Sequence, residues 1–314
     1  MQLWAVIVDS LRESIDRKIF WLLLVLTAFV VIVIASIGFE HDRVTLLFGM
    51  FDVASDRYNP ALELGRSRIA GLLVHGFLSV VLGWIGVLLA VIATAGVFPS
   101  MLGGGAISVL LAKPISRPRL FLYKYIASMV FIFVQATAFV VGTFLAVGTR
   151  WGVWVPGYLV AIPLVVLLFS YIYCISVLVA VKTRSTVASI LISVGAWVAF
   201  ALIHQAPQVF EWQPDWKANT TVYRAVKIVG SIPPKTGDLP YLAARWASAS
   251  TSVDAMPQAM MGPGVDINAA QLAAADRYER DLINRHPIYS IGSSVLFEMV
   301  VLVWAMVSFM RQDY

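Results

Sequence analysis

The sequence has few of the residues and motifs on which soluble enzymes depend. Only 13% of its 314 residues are charged, whereas soluble domains have about 25%. The single cysteine, Cys174, lies inside an apolar stretch, which excludes a disulfide framework or a cysteine metal site within one chain. There is no His-Glu-x-x-His, no Gly-x-Ser-x-Gly and no cluster of metal ligands in the sequence. A conventional active site is therefore not expected.

The sequence also lacks the usual means of binding a nucleotide or a nucleic acid. No Gly-x-x-x-x-Gly-Lys-Ser/Thr phosphate loop occurs, so no backbone cradle for ATP phosphates is expected. The net charge is +5, but the basic residues gather at the ends of apolar stretches instead of forming a solvated patch. We therefore expect no cofactor bound by this chain and no nucleic-acid partner.

Long apolar stretches are what the sequence does contain. Apolar residues make up 60% of it, the mean hydropathy is +0.82, and a membrane helix needs roughly 20 predominantly apolar residues. Six stretches meet that requirement, which predicts an all-α polytopic membrane protein with six transmembrane helices. The predicted spans are Ile19 to Gly38, Ile69 to Val97, Ile126 to Gly148, Gly157 to Val181, Thr186 to His204 and Ile288 to Met310.

The distribution of basic residues predicts the orientation of these spans. Segments on the side of the two termini hold ten basic residues, and the two short segments on the other side hold five. Positive charge favours the cytoplasm, so both termini of this multi-pass protein are predicted to be cytoplasmic, with the spans in the cell (inner or plasma) membrane. The ten are Arg12, Arg17, Lys18, Lys113, Arg117, Arg119, Lys124, Lys182, Arg184 and Arg311, and the five are Arg43, Arg57, Arg66, Arg68 and Arg150.

The spans divide the chain into four parts. Residues 1–18 have apolar residues at helical spacing and are predicted to form an amphipathic helix on the inner membrane surface. Residues 19–204 hold the first five spans, and residues 288–314 hold the sixth span and a short cytoplasmic tail. Residues 205–287 are long for a connection and are predicted to form an extracytoplasmic cap.

Four elements are predicted inside this cap, among them a short helix over Val222 to Val229 and a polar helix from Asn268 to Asn284. Ile232 to Asp238 contains two prolines and a glycine, which do not continue a helix, and is predicted to be a turn. A helix is predicted from Leu239 to Ser250.

The loop 98–125, between spans two and three, is the most informative part of the sequence. Pro99 and the glycines 103–105 are expected to break the incoming helix, and the apolar run 106–112 is long enough for two helical turns before Pro114 ends it. The loop is rich in basic residues, which suits anionic lipid or an acidic protein groove. A short amphipathic helix parallel to the membrane is therefore predicted here.

The order of residues in this loop is specific. A glycine, a short apolar run, Leu-Leu-x-Lys-Pro-x-x-Arg and a Tyr-Lys pair follow one another. This order resembles the signature loop of type-2 ABC transporter permeases, in particular the six-span branch that includes the permease for nitrous-oxide reductase maturation. The number of spans, the N-terminal surface helix and the long last outer segment are similar as well. The matching residues are Gly105, Leu110, Leu111, Lys113, Pro114, Ser116, Arg117, Tyr123 and Lys124.

The resemblance implies a function for the loop. It implies a cytoplasmic coupling helix that sits in a groove of a separate ABC ATPase subunit and passes nucleotide-driven closure to the spans. It also implies a complex of two permease copies, a homodimer, with two ATPase subunits that bind ATP and Mg and drive export. The coupling residues would be Gly105, Leu110, Leu111, Lys113, Pro114, Ser116 and Arg117. In the alternative interpretation, these prolines and basic residues only end two spans at the interface.

Polar groups inside the spans are costly and tend to face a cavity or a partner helix. Glu298 of the last span and Gln135 of the third span are therefore candidate residues of a translocation path. In the alternative interpretation, Glu298 forms a structural hydrogen bond to a polar group such as Gln135. Two rival functions stay open. One is an intramembrane enzyme that uses a set such as Glu298, His75 and Cys174, and the other is an ATP-independent channel or secondary carrier.

Overall fold

The computed structural model describes residues 18–39, 43–54, 83–103, 116–212, 221, 224–225, 228, 230, 233–248 and 287–312. Most of these residues are helical. Within this part of the chain, six helices are long and apolar enough to cross a membrane, which agrees with the prediction of six spans. They are Lys18–Ser36, Gly83–Leu102, Arg117–Trp151, Pro156–Thr183, Thr186–His204 and Pro287–Met310.

The helices are numbered here in chain order. The 3-10 turn Pro156–Val160 leads directly into the fifth of them. They are α1 (Lys18–Ser36), α2 (Val87–Thr94), α3 (Val97–Leu102), α4 (Arg117–Trp151), α5 (Ala161–Thr183), α6 (Thr186–Trp212), α7 (Asp238–Ser248) and α8 (Pro287–Met310).

The first span exposes large apolar side chains over much of its surface. Trp21, Leu22 and Val25 are each more than half exposed, and Phe29 and Ile32 are exposed on later turns. A helix that is apolar all round is stable at a surface only where the surroundings are themselves apolar. The exposure of these residues is therefore what a membrane-spanning helix requires.

A small sheet follows α1, and the all-α prediction is wrong for this segment. Strands β1 (Gly38–Phe39), β2 (Arg43–Leu46) and β3 (Phe51–Ala54) pair antiparallel in that order. β-branched and aromatic residues, which favour extended backbone, are frequent here, and the run is too short for a span. The 3-10 turn Leu47–Gly49 joins the last two strands, and Gly49 takes a positive φ of 95° that suits glycine.

The connection between the second and third spans is shorter than predicted. α3 continues past Pro99 because proline in the first turn of a helix removes no hydrogen bond, and it ends at Gly103, whose backbone is extended. α4 begins at Arg117 and has 35 residues, which corresponds to about 52 Å. Residues 117–125, predicted to be part of the coupling loop, are therefore helical.

Two elements predicted around the last long connection are confirmed. Residues 233–237 form a turn, in which the amide of Asp238 donates to the carbonyl of Lys235 at 3.1 Å. α7 follows at Asp238–Ser248, close to the predicted Leu239 to Ser250. The predicted amphipathic helix 1–18 lies outside the described residues except for Lys18, and the predicted coupling helix 106–112 and His75 lie wholly outside them.

The chain divides into two compact units. The first comprises Met1–Ala93, Leu122–Leu167 and Pro240–Gly262, and the second comprises Thr94–Phe121, Leu168–Leu239 and Pro263–Tyr314.

In the first unit, the end of α4 caps the end of α1. Arg150 Nε donates to the carbonyl of Ala35 and Trp151 Nε1 to the carbonyl of Ile37, both at 2.9 Å. Carbonyls in the last turn of a helix and just beyond it have no partner within the helix, so these two side chains satisfy groups that would otherwise be costly at a membrane boundary.

Candidate functional site

One face of α8 is polar and buried. Ser290, Ser294 and Glu298 recur every fourth residue, which places them on one side of the helix, and all three are buried. Ala305 and Phe309 continue the buried face with apolar side chains. The last span therefore carries its buried polar groups in the half that begins at Pro287.

Glu298 is the acidic residue at the inner limit of this face. It lies halfway along the 24-residue helix, is 9% exposed, and accepts a hydrogen bond of 2.9 Å from Ser170 Oγ of α5. Cys174, one turn after Ser170, is fully buried and its thiol donates to the carbonyl of Tyr171. A carboxyl group at this depth is costly and is commonly functional.

The turn before α7 is packed onto the same face. Lys235 is 4% exposed, and its backbone amide donates to Ser294 Oγ at 2.9 Å. Its Nζ donates to Ser293 Oγ at 2.7 Å and lies 4.2 Å from the ring centroid of Tyr289. Hydroxyl oxygens and an aromatic face are favourable neighbours for a buried ammonium group.

Asp238 lies at the end of this turn and contacts two helices. Its Oδ2 accepts a hydrogen bond of 2.6 Å from Ser290 Oγ of α8. Its Oδ1 lies 2.9 Å from Nε2 of His204 in α6, which is an ion-pair distance without the alignment of a hydrogen bond. The side chains of Asp238 and His204 are only 3% and 11% exposed. The pair is a salt bridge when the imidazole carries a proton.

Local sequence explains why the turn fits. Pro233 and Pro234 stop any helix that approaches from the N-terminal side, and the amide of Thr236 donates back to the carbonyl of Pro234 at 2.9 Å. Asp238 is the first residue of α7, where a negative charge is favoured by the helix dipole. We call Lys235, Asp238, His204, Ser290, Ser293 and Ser294 the buried polar cluster.

The composition of the buried polar cluster limits its chemistry. It combines one lysine, one aspartate and one histidine with serine hydroxyls. Among the residues that the structure describes, no three His, Cys, Asp or Glu side chains are placed to hold a metal ion. Buried charges of opposite sign with hydroxyl partners can form a stable structural contact or part of a polar path through the membrane. Each ion buried alone would be strongly unfavourable.

A second set of polar contacts lies where α4 begins and α5 and α8 end. Arg117 NH1 donates to the carbonyls of Met310 at 3.3 Å and Gln312 at 2.9 Å. Gln312 Nε2 in turn donates to the carbonyl of Val181 at 2.9 Å. We call Arg117, Gln312 and these carbonyls the carbonyl tie.

The structure places only part of the predicted coupling set. Ser116 is exposed, and its carbonyl accepts the amide of Leu120 in the first turn of α4. Arg117 belongs to the carbonyl tie. The others, Gly105, Leu110, Leu111, Lys113 and Pro114, lie outside the described residues.

The two polar residues predicted inside the spans have different partners. Gln135 belongs to the first unit, where its Nε2 donates to Thr27 Oγ1 of α1 at 2.8 Å. Glu298 belongs to the second unit and accepts from Ser170. The hydrogen-bond partner that the sequence interpretation suggested for Glu298 was a residue such as Gln135, and the observed partner is Ser170.

Sequence reasoning missed most of the buried polar cluster. The four-residue spacing of Ser290, Ser294 and Glu298 is a signal that could have identified a polar face on the last span. For Lys235 and Asp238 the sequence predicts only a turn, with a loose resemblance to the outer segment of the permease family from Pro234 to Asp238. Nothing in the sequence indicates that the two residues are buried, because charged residues in a connection are usually solvated.

A scan against models of known protein families gave no match, and neither did a search of curated proteins.

Proposed function

We propose that this chain is the transmembrane permease subunit of an ATP-binding cassette exporter, driven by a separate cytoplasmic ATPase subunit. The observation that carries the proposal is the loop whose residues 105–117 resemble the coupling segment of type-2 permeases. Six membrane-length helices give the chain the form that such a subunit needs. The helical ends on either side of the loop, Leu102 and Arg117, leave residues 103–116 as the connection in which a coupling helix would lie.

The partners follow from what the chain lacks. Its sequence has no phosphate loop, so ATP and Mg would be held by the ATPase subunit and not by this chain. The complex would contain two copies of this permease and two ATPase subunits. Both termini would be cytoplasmic, and the buried polar cluster would then lie toward the outer face of the cell membrane, where α8 begins.

Lys113 provides the test of this proposal. Lys113→Glu puts an acidic group where an acidic groove is expected, and such like-charge contacts cost several kcal/mol. A loss of about 2.7 kcal/mol is already hundredfold in affinity. We expect an ATPase without spans of its own to copurify with the tagged wild-type chain, and to be lost from the Lys113→Glu variant.

Arg184→Glu is the matched control, because it makes the same charge change in the short connection between α5 and α6. The control should retain the ATPase. A reporter at Met261 should read as external and one after Tyr314 as cytoplasmic in all variants. This check is needed because the loss of a positive charge on the cytoplasmic side also weakens the signal that orients the spans. A correctly oriented Lys113→Glu variant that keeps its ATPase would overturn the assignment of this loop.

An ion-coupled secondary carrier is the second candidate. Glu298, halfway along α8 and buried against Ser170, is the kind of intramembrane group that carriers use for protons and cations. A carrier would need no ATPase, so failure of the wild-type chain to bind one would favour this candidate.

A further inference from the structure

Arg117 is held by a helix other than its own. It is the first residue of α4, yet its guanidinium NH1 reaches the carbonyl of Met310, where α8 ends, and the carbonyl of Gln312 just beyond. The carbonyls at the end of a helix lack partners within it, and arginine is suited to bonding them. The contact therefore satisfies the end of the last span.

The position of Arg117 is unfavourable for α4 itself. The first turn of α4 contains Arg117 and Arg119 and no acidic residue, whereas the positive end of a helix dipole favours acidic groups. The negative end of α8 favours a cation. The positive charge of Arg117 is therefore stabilised by the C-terminal end of α8 and not by the N-terminal end of α4.

The carbonyl tie continues from α8 to α5. Gln312 accepts from Arg117 through its carbonyl and donates through its side chain to Val181, in the last turn of α5. Close by in sequence, Lys182 Nζ lies 4.0 Å from the ring centroid of Trp304 in α8. The start of α4, the end of α8 and the end of α5 are thus linked in series through side chains.

We propose that Arg117 is a positioning residue that transmits movement of the start of α4 to the last span and, through Gln312, to α5. This inference rests on the proposed function. The family resemblance would make Arg117 a residue that contacts the ATPase, whereas here it links helices within the permease. In this proposal, a displacement of the start of α4 is passed to the end of α8 through the guanidinium of Arg117.

The test separates ATPase binding from conformational response. Met310→Cys places a thiol on an exposed side chain of α8, while the native Cys174 is fully buried and does not compete for reagent. The rate of maleimide labelling at this cysteine is measured on the purified complex with and without ATP and vanadate. In a complex that carries only Met310→Cys, addition of ATP and vanadate should change the rate of maleimide labelling.

Arg117→Gln should lose the rate change, measured on the complex that copurifies with the ATPase. The change in labelling rate caused by ATP and vanadate should become smaller by about tenfold or more, because a hydrogen bond from a charged group shifts an equilibrium by more than about tenfold. Gln312→Leu, which breaks the link to α5 and leaves Arg117 intact, should also reduce the response. Arg119→Gln, an exposed arginine in the same turn, is the control and should respond as wild type.

Two results would overturn the inference while leaving the proposed function intact. One is loss of the ATPase from Arg117→Gln, which would make Arg117 a docking residue. The other is an unchanged labelling response in Arg117→Gln and Gln312→Leu. A wild-type chain that binds no ATPase would instead overturn the proposed function, and this inference with it.

Discussion

The two ends of the second unit are fastened by different kinds of contact. Where α4 begins and α5 and α8 end, the carbonyl tie uses long side chains, Arg117 and Gln312, that donate to backbone carbonyls. Where α8 begins and α6 meets the turn 233–238, two buried charged side chains contact neighbouring side chains: Asp238 contacts His204 and Ser290, and Lys235 contacts Ser293.

The difference in energy between these contacts is large. A hydrogen bond from a charged donor contributes about 1.5–3 kcal/mol and is readily exchanged for water at a boundary. Removing one partner from a buried ion pair costs about 3–5 kcal/mol, because the remaining charge is left uncompensated. The carbonyl tie is therefore suited to open and close again, whereas the buried polar cluster is suited to hold the turn 233–238 against α6 and α8.

The largest expected effect is at Asp238. Asp238→Ala removes the acceptor for the Ser290 hydroxyl and the negative charge opposite His204, and we expect the free energy of unfolding to fall by about 3–5 kcal/mol. Asp238→Asn, which retains an oxygen for Ser290, should lose less. The measurement is the fraction of monodisperse protein that remains after heating in detergent.

Asp52→Ala is the matched control for this prediction. Asp52 also pairs with a basic residue, Arg43 at 3.4 Å, but both side chains are about half exposed. Exposed pairs contribute about 0–1 kcal/mol, so this variant should melt close to wild type. Equal losses at Asp52 and Asp238 would show that the cluster is no stronger than a surface pair.

Glu298 comes next in expected size. Glu298→Leu leaves the Ser170 hydroxyl without the acceptor seen in the structure, which should lower the free energy of unfolding by about 1–3 kcal/mol. Glu298→Gln keeps an acceptor oxygen and should melt near wild type.

Function then separates the two roles of Glu298. If it lines a path, Glu298→Gln should alter the labelling response to ATP and vanadate in the intact complex even though the protein is stable. If it is only a structural hydrogen-bond partner, the response should be that of wild type. A Glu298→Leu variant as stable as wild type would contradict the structural role.

The sequence predicted the spans well because their signal is local. A run of apolar residues long enough to cross a bilayer can be counted directly. Each of the six runs corresponds to a membrane-length helix in the described residues, the second only from Gly83 onward. The start of α4 was missed because basic residues mark the edge of a bilayer without ending a helix. Pro118 did not prevent helix there, since it stands in the first turn.

Neither the carbonyl tie nor the buried polar cluster could be predicted from a local pattern in the sequence. Lys235 and Asp238 are buried by residues of α6 and α8 that are far away in sequence. The tie likewise joins Arg117 to carbonyls almost two hundred residues later. Such pairings depend on which helices become neighbours, and composition and periodicity do not specify that.

The smallest expected effect tests how rigidly the buried polar cluster is packed. A Cβ at Gly237 would lie 3.0 Å from Cδ2 of His204, which is too close for an unstrained contact. His204 has little room to withdraw, because it lies against Asp238. Gly237→Ala should therefore lower the free energy of unfolding by about 1 kcal/mol, the low end of what overpacking costs.

Gly292→Ala is the control that gives this small shift its meaning. A Cβ at Gly292, on α8 in the midst of the cluster's serines, would meet nothing within 4 Å, and alanine in a helix is more stable than glycine by roughly 0.5–1 kcal/mol. Melting shifts of opposite sign for the two variants are expected. If Gly237→Ala proves as stable as Gly292→Ala, then His204 moves freely, the contact between α6 and α7 is loose, and the contrast between a rigid and an exchangeable end no longer holds.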